Sequence, residues 1–314
     1  MVVREQLHVT KQSATSAGPP FKHLYGSVVS GENSDEVIAG VLREVLDQGQ
    51  TVAGQPPFLE VLNQASVLTD IRSRIPANSQ STFSLRTALA RTLWHLSGRS
   101  DLESIAYYEP RAEKYSDDGL TLAGSNTGAR ILGRAGSQVN QLEGLIDRLS
   151  EDGATRRAAM TIWQPEDAKR RSVDIPCAMA FVCHVRDERL LTTVIMRSNN
   201  ATRLLPYNLF EFSFMAELIA TELSVQPGPY WHQSISMHIL DPDRGQAEAM
   251  INAEVNPCTR MDPMPAFPSP LGQIQTLARC EELLRQGADF RSPEVMQASE
   301  RLNPYWLGLL SILR

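Results

Sequence analysis

The chain has 314 residues, of which 42% are hydrophobic and 21% charged, and its net charge is −6 at neutral pH. This composition is ordinary for a globular protein and excludes a largely disordered chain. The acidic balance argues against a nucleic-acid partner, so we expect any bound anion to be held by a local group of arginines. No apolar run reaches the roughly 20 residues that span a bilayer. The N-terminus also lacks the apolar core of a signal peptide, so we expect a cytoplasmic protein without a membrane partner.

The four cysteines, Cys177, Cys183, Cys258 and Cys280, are widely spaced along the chain. They are too few for a disulfide framework in a chain of this length. Their spacing to one another and to the histidines matches no zinc motif, so we expect no metal site.

The chain begins with a polar segment over residues 1–30, which we expect to form an N-terminal arm ahead of a core over 31–240. The first helix is expected just after the arm. Asn33 or Ser34 is its predicted cap, acidic residues fill its first turn, and Gly49 ends it.

Three further helices are predicted within the core. Leucines at helical spacing predict one between Ser84 and Gly98, and another in QVNQLEGLIDRLSEDG. The segment NLFEFSFMAELIATEL is apolar around most of its circumference, which is typical of a central, buried helix.

Strands are expected to alternate with these helices, in AAMTIW, CAMAFVCHV, LLTTVIM and WHQSISMHI. After residue 240 the chain becomes rich in Pro and Met and then helical, so we treat 241–314 as a divergent C-terminal region. The predicted class is α/β or α+β with one main domain.

The strands CAMAFVCHV and LLTTVIM form a predicted hairpin. If Asp187 and Glu188 are a two-residue loop, Cys177 lies opposite Ser198 and within reach of Arg197. A guanidinium beside a thiol favours the thiolate, which is the nucleophilic form. The hairpin alone favours the alternative, a buried core cysteine and an arginine in a salt bridge, because free cysteines are among the most buried residues.

Several blocks together resemble the thymidylate synthase family, which includes the pyrimidine-nucleotide hydroxymethylases. TRRAAMTIWQPED, DIPC, MRSNN, LPYNLFEFS and SMHI are similar to its successive site motifs, and VLREVLDQG and LRTALARTLWHLSG to its first two helices. The likeness covers residues 36–240. It implies a layered fold in which a mixed β-sheet packs against helices.

The resemblance implies that Cys177 is a nucleophile that adds to C6 of a pyrimidine nucleoside monophosphate. Arg197 and Ser198 are then expected to bind the 5′-phosphate, with Arg197 also keeping the thiol ionised. In the family, the residues that match Arg156 and Arg157 complete this clamp from the other subunit, which implies a homodimer. Guanidinium groups suit this task because their forks match phosphate oxygens.

The resemblance also assigns the remaining ligand contacts. Asn208 is expected to read the base; its amide suits the O4 and N3–H edge of uracil, although a rotated amide could accept cytosine. His238 is expected to reach the sugar. The family's one-carbon donor, 5,10-methylenetetrahydrofolate, is implied by the same resemblance, and Asn200 replaces the aspartate that binds its ring in the family.

The chain departs from the family pattern on the folate and proton-transfer side. Arg91 stands where the family has a catalytic glutamate, and an arginine cannot act as a base. The other replacements are Thr127 and Leu240 for tyrosines and Ala178 for a histidine. The arginine loop that binds phosphate near the family's N-terminus has no counterpart, unless Arg72 or Arg74 substitutes.

Three functions stay open on the sequence. The first is methylation or hydroxymethylation at C5 of dUMP, UMP, dCMP or CMP. The second is a degenerate homologue that binds a nucleotide or serves as a scaffold. The third is C6 activation toward an electrophile other than folate.

Overall fold

The computed structural model describes residues 26–136, 138–254 and 259–314. Within these ranges one sheet contains the strands β1 (Val28–Gly31), β2 (Gln50–Val52), β3 (Phe58–Leu68), β4 (Ala159–Thr161), β5 (Ala178–Arg186), β6 (Arg189–Met196), β7 (Asn199–Asn200) and β8 (Gln226–Leu240). The helices are α1 (Ser34–Gln48), α2 (Leu85–Leu96), α3 (Leu102–Ala106), α4 (Thr127–Ile131), α5 (Gln141–Glu151), α6 (Leu205–Glu222), α7 (Arg244–Asn252), α8 (Pro270–Arg285), α9 (Pro293–Ser299) and α10 (Pro304–Leu313).

The sheet is mixed. Its strand order is β1-β3-β8-β6-β5-β4, with β2 paired to β3 and β7 paired to β8. β1 runs parallel to β3, β8 runs parallel to β6 and β7, and the other pairs are antiparallel. This arrangement of a mixed sheet packed with helices confirms the predicted fold class.

Helix α6 is the centre of the molecule. It is buried over nearly its whole length and packs against α1, α2, α8, β6 and β8. The same core includes Leu277 of α8 and Trp306 of α10, so the helices of the C-terminal region pack into the main body. The predicted boundary at residue 240 between the core and a divergent C-terminal region concerns the sequence only, and it stays a prediction.

The capping signals confirm the predicted helix starts. The Asn33 side chain accepts from the Glu36 N–H at the start of α1, and the Ser84 side chain accepts from the Thr87 N–H at the start of α2. Helix α6 begins at Leu205, three residues before the predicted segment.

Four strands of the sheet, β1, β2, β3 and β7, were not predicted from sequence. β1 includes the last residues of the expected N-terminal arm, and the arm's residues 1–25 lie outside the described part of the chain. β3 pairs with β8 along most of its length. In the described ranges no helix is both long and apolar enough to cross a membrane.

The hairpin of β5 and β6 has the predicted loop but not the predicted register at its far end. Asp187 and Glu188 have φ values of 48° and 58°, as a two-residue hairpin turn requires. The pairing runs regularly until an irregularity between Ala178 and Ala180 shifts it by one residue. Cys177 therefore lies opposite Arg197 rather than Ser198, because the bulge adds one residue to β5.

Candidate active site

Cys177 and Arg197 lie together at the open end of the β5–β6 hairpin. The Arg197 N–H donates to the Cys177 carbonyl at 2.8 Å. Its guanidinium donates from Nε to the Pro176 carbonyl at 2.7 Å and from Nη2 to the Ile175 carbonyl at 2.9 Å. Arg197 thus holds the backbone that positions the half-buried Cys177 side chain.

The thiol is not held ionised in the single chain. Burial raises the pKa of Cys177, and the charge of Arg197 lowers it only in part, while Asp174 raises it further. This result corrects the expectation that Arg197 alone favours the thiolate. The physical reason is that desolvation penalises the charged sulfur more than one guanidinium, already bonded to two carbonyls, compensates for it.

Asp174, three residues before the cysteine, connects this segment to the chain ahead of α4. Its carboxylate accepts from the Gly124 N–H at 2.7 Å, the Ser125 N–H at 2.8 Å and the Ser125 hydroxyl at 2.6 Å. A Cβ on Gly124 would lie 2.2 Å from the Asp174 carbonyl oxygen, so only glycine fits there. The sequence did not single out Asp174. Asn126 of the same stretch lines a cleft of about 260 Å³, and Cys177 is not part of that cleft.

Ser198 and His238 meet where β7 pairs with β8. The Ser198 hydroxyl lies 3.5 Å from His238 Nδ1, and the imidazole packs edge-on against Phe58 at 5.5 Å between centroids. Burial lowers the pKa of His238, so the ring is neutral at pH 7. The structure therefore brings together the residues predicted to bind phosphate and sugar.

Asn208 lies in the first turn of α6 and is 8% exposed. Its N–H donates to the Leu204 carbonyl, as the helix requires. Its side-chain amide makes no hydrogen bond to any described residue. Donor and acceptor are therefore both available to a ligand, as base recognition needs.

Asn200 has a different task from the one predicted. Its Oδ1 accepts from the Thr202 N–H at 3.0 Å and from the Arg203 N–H at 2.7 Å, which closes the turn before α6. That oxygen is thus used within the chain. Asn200 does not fit the folate contact that the resemblance implies, and we derive no chemical step through folate.

Arg156 and Arg157 lie just before the edge strand β4 and are exposed. Neither guanidinium forms an ion pair or hydrogen bond with a described residue, and no contact joins them to Arg197 or Ser198. Within one chain, therefore, the predicted phosphate clamp is not assembled.

Arg72 and Arg74 are excluded as a phosphate-binding loop. Arg72 Nε contacts Glu217 Oε1 at 2.8 Å, and Arg74, which is fully buried, pairs with the other oxygen of the same carboxylate. Both guanidinium groups are thus bound by the same buried carboxylate inside the protein.

Arg91 lies between two carboxylates from other elements. Its Nη1 contacts Glu109 Oε2 at 2.7 Å, its Nε pairs with Glu211 Oε1, and its guanidinium stacks on Tyr207 at 5.4 Å. Glu211 belongs to α6 and is 3% exposed. The sequence contained a signal for it that was missed, an acidic residue in the mostly apolar first half of the helix, three positions after Asn208.

Several known proteins are similar to part of this chain. A deoxyuridylate hydroxymethyltransferase of Pseudomonas phage M6 is 32% identical over 174 residues, which is 54% of this chain and 49% of that protein. A deoxyuridylate hydroxymethyltransferase of Bacillus phage SP01 is 26% identical over 234 residues, covering 69% of this chain and 59% of that protein. A putative thymidylate synthase of Methanosarcina mazei is 30% identical over 153 residues, covering 46% of this chain and 69% of that protein.

The chain thus spans about half the length of the phage M6 protein that it matches. The family profile described as thymidylate synthase matches residues 39–266, which is more than half of the chain and includes every site residue discussed above. Together with the mixed sheet, this match shows that the chain belongs to the thymidylate synthase family.

Proposed function

We propose that this protein transfers a one-carbon unit to C5 of a pyrimidine nucleoside monophosphate, with Cys177 adding to C6. The observation that carries the proposal is the grouping of Cys177 with Arg197 at one end of the hairpin, beside the Ser198–His238 contact. The free amide of Asn208 supports base recognition, and dUMP is the preferred candidate because an asparagine amide pairs with both groups of the uracil edge.

The chemistry follows from the cysteine. When its Sγ bonds to C6, the electrons of the C5=C6 bond move toward C4–O4, and C5 becomes nucleophilic. C5 then attacks a one-carbon electrophile. The two phage relatives are named deoxyuridylate hydroxymethyltransferases, which favours a hydroxymethyl product here. The thiol must lose its proton to solvent for this step, and Arg197 is the cation that favours the resulting thiolate.

The phosphate site is proposed to be completed by a second copy of the chain. Arg197 has one nitrogen, Nη1, without a hydrogen bond to the described residues, and Ser198 lies beside it in sequence. Arg156 and Arg157 are exposed at the sheet edge and free of partners in the described chain. We therefore propose a homodimer in which these two arginines reach the partner's site.

The uncovered face of the sheet supports the dimer. Trp231 is 41% exposed and Ile235 is 40% exposed on β8, on the face opposite α6. Large apolar side chains in a row on an open sheet face are typical of an interface.

Tritium release tests the function directly. We expect the wild type to release tritium from [5-³H]dUMP, because the C6 adduct makes the C5 hydrogen exchangeable, and Cys177→Ser to bind the nucleotide without releasing any. UMP, dCMP and CMP labelled at C5 establish the base and sugar preference. Adding methylenetetrahydrofolate then shows whether a hydroxymethyl or methyl product forms with this donor.

A second candidate, nucleotide binding without turnover, is favoured by one observation, the occupation of the family's glutamate position by Arg91. Calorimetry separates the two functions. Tight dUMP binding by the wild type with no tritium release supports the second candidate and rejects the first.

A further inference from the structure

Close contacts lead from the nucleophile's segment to the buried carboxylate of α6. Asp174 binds the backbone at Gly124, and four residues later Gly128 packs on α2. A Cβ on Gly128 would lie 1.6 Å from the His95 carbonyl oxygen, so this approach requires glycine. The His95 Nε2 lies 3.8 Å from Glu211 Oε2. Glu211 is thus linked through His95 and the segment of α4 to Asp174, three residues before Cys177.

Glu211 also shares a helix face with the proposed base-reading residue. Asn208 and Glu211 are three residues apart on α6, and side chains at this spacing project from the same side of a helix. Whatever base Asn208 binds must therefore lie within about one helical turn of the Glu211 carboxylate.

Charge at this point is unbalanced, which leaves the carboxylate able to exchange a proton. Arg91 is the one cation that contacts both Glu211 and Glu109 among the described residues. Burial raises the pKa of Glu211, Arg91 lowers it in part, and the charge of Glu109 raises it again. Burial and Arg91 also lower the pKa of His95 to about 3, so that ring is neutral, and its buried Nδ1 has no partner in the described chain.

We propose that Glu211 is the carboxylate that carries protons to and from the pyrimidine ring in this site, and that Arg91 is its positioning residue. The proposal rests on the proposed function and assigns the proton transfer to a helix different from the one that the family resemblance implied. The arginine at position 91 is then part of a rearranged pair rather than the loss of a catalytic base.

The proton transfers balance in the hydrogen-exchange reaction at C5, without the one-carbon transfer. The Cys177 Sγ–C6 bond forms and C5 receives a proton through a water from protonated Glu211. The C5–³H bond then breaks, its electron pair returns to the ring, and the tritium ion passes through water to the Glu211 carboxylate and on to solvent. Loss of the thiolate restores the C5=C6 bond. No oxidant or further reactant is needed.

The test compares two changes of acid to amide on the partners of Arg91. Glu211→Gln keeps the shape of the side chain but removes its acidity, and we expect about a 10²- to 10³-fold slower tritium release at saturating [5-³H]dUMP. The dUMP dissociation constant should stay within about threefold of the wild-type value, because the change is expected to affect proton transfer in the transition state and not binding of the ground state. Glu109→Gln, on the more exposed partner, should slow release by less than about tenfold, and Glu211→Asp should recover at least about tenfold over Glu211→Gln.

A pH profile provides a readout that a structural ion pair would not change. The groups that face Glu211 are Arg91 and His95 from α2, Glu109 from the segment after α3, Tyr207 from α6 and Tyr230 from β8. The ratio of wild-type release to Glu211→Gln release should fall as the pH rises through the raised pKa of Glu211, because the ionised carboxylate cannot donate the first proton to C5. The ionisation of Cys177 affects both proteins alike and cancels in this ratio.

The outcomes separate the two proposals. If the wild type releases tritium and Glu211→Gln stays within threefold of it, or the ratio of the two rates does not change with pH, the role of Glu211 is rejected and the proposed function stands. If the wild type binds dUMP but releases no tritium, the proposed function fails and the role of Glu211 fails with it.

Discussion

At the scale of single residues, the balance between burial and charge at Cys177 controls the chemistry. The sulfur is half-buried and its nearest cation, Arg197, already binds two backbone carbonyls. The cysteine is therefore a poor nucleophile until a ligand changes its surroundings.

We expect alkylation of Cys177 by iodoacetamide to rise with pH to a midpoint above 9, because burial raises its pKa from that value. Arg197→Met should raise the midpoint further and slow labelling at pH 8 by roughly tenfold, about one pKa unit. Peptide mass spectrometry reports the labelling rate. Cys183 in the same sample is the control, since burial raises its pKa to about 12 and it should stay unlabelled. A wild-type midpoint at or below 8.5 would show that Arg197 outweighs burial.

At the scale of elements, Glu217 joins three segments. From α6 its carboxylate binds Arg72 and Arg74 in the connection between β3 and α2, and it accepts from the Met264 N–H at 3.1 Å ahead of α8. Arg74 is fully buried, with Nε and Nη1 lacking partners among the described residues. Removing the carboxylate therefore leaves a buried charge uncompensated.

We expect Glu217→Gln to lower the free energy of unfolding by about 3–5 kcal/mol, measured by urea denaturation. Glu282→Gln is the matched control: its partner Arg279 is 60% exposed, so the loss should stay below about 1 kcal/mol. An equal loss in both variants would contradict the role of Glu217.

The ion pairs of Glu217 with Arg74 and Arg72 also predict how the stability of the fold depends on pH. Burial raises the pKa of Glu217, but Arg74 and Arg72 lower it by more, so its folded-state pKa lies below 4.5. A lowered carboxylate pKa stabilises the fold above the unfolded value and loses that contribution as the pH falls through the folded value. The wild-type advantage over Glu217→Gln should therefore shrink below pH 4.5; an advantage that grows in acid would reject this assignment.

At the scale of the whole molecule, the open sheet face and the unpaired arginines indicate an assembly larger than one chain. Helices cover the face with α6, while Trp231 and Ile235 are exposed on the other. Arg156 and Arg157 lie at the edge of the same sheet, and nothing in the described chain neutralises them. A homodimer provides a partner for both features.

Subunit mixing tests the shared site. Cys177→Ser and the double variant Arg156→Gln, Arg157→Gln should each release little tritium alone. After unfolding and reassociation together they should regain about a quarter of wild-type release, because half of the dimers are mixed and each has one intact site. Trp231→Glu in both chains should abolish the recovery and give a monomer by light scattering. Mixed samples without recovery would show that each chain uses its own arginines.

Short-range signals specified a large part of this protein. The caps at Asn33 and Ser84, the turn at Asp187 and Glu188, and the apolar helix α6 depend on residues a few positions apart, and each was readable from the chain. The ordered motifs likewise indicated the family and the site residues Cys177, Arg197, Ser198, Asn208 and His238. Strand β3 was not predicted because the polar Asn63-Gln64 pair interrupts its hydrophobic pattern. Gln64 is buried only once β8 pairs beside it.

Tertiary structure alone decided which charges meet. The bulge near Met179 moved Cys177 opposite Arg197, and the turn before α6 occupied the Asn200 oxygen. Arg91 and Glu211 are 120 residues apart in sequence and meet only because α2 packs on α6. Spacing and propensity report on neighbours along the chain, whereas a buried ion pair depends on how distant helices pack, so the sequence alone showed an arginine in place of a base and the folded chain shows that arginine paired with a buried carboxylate.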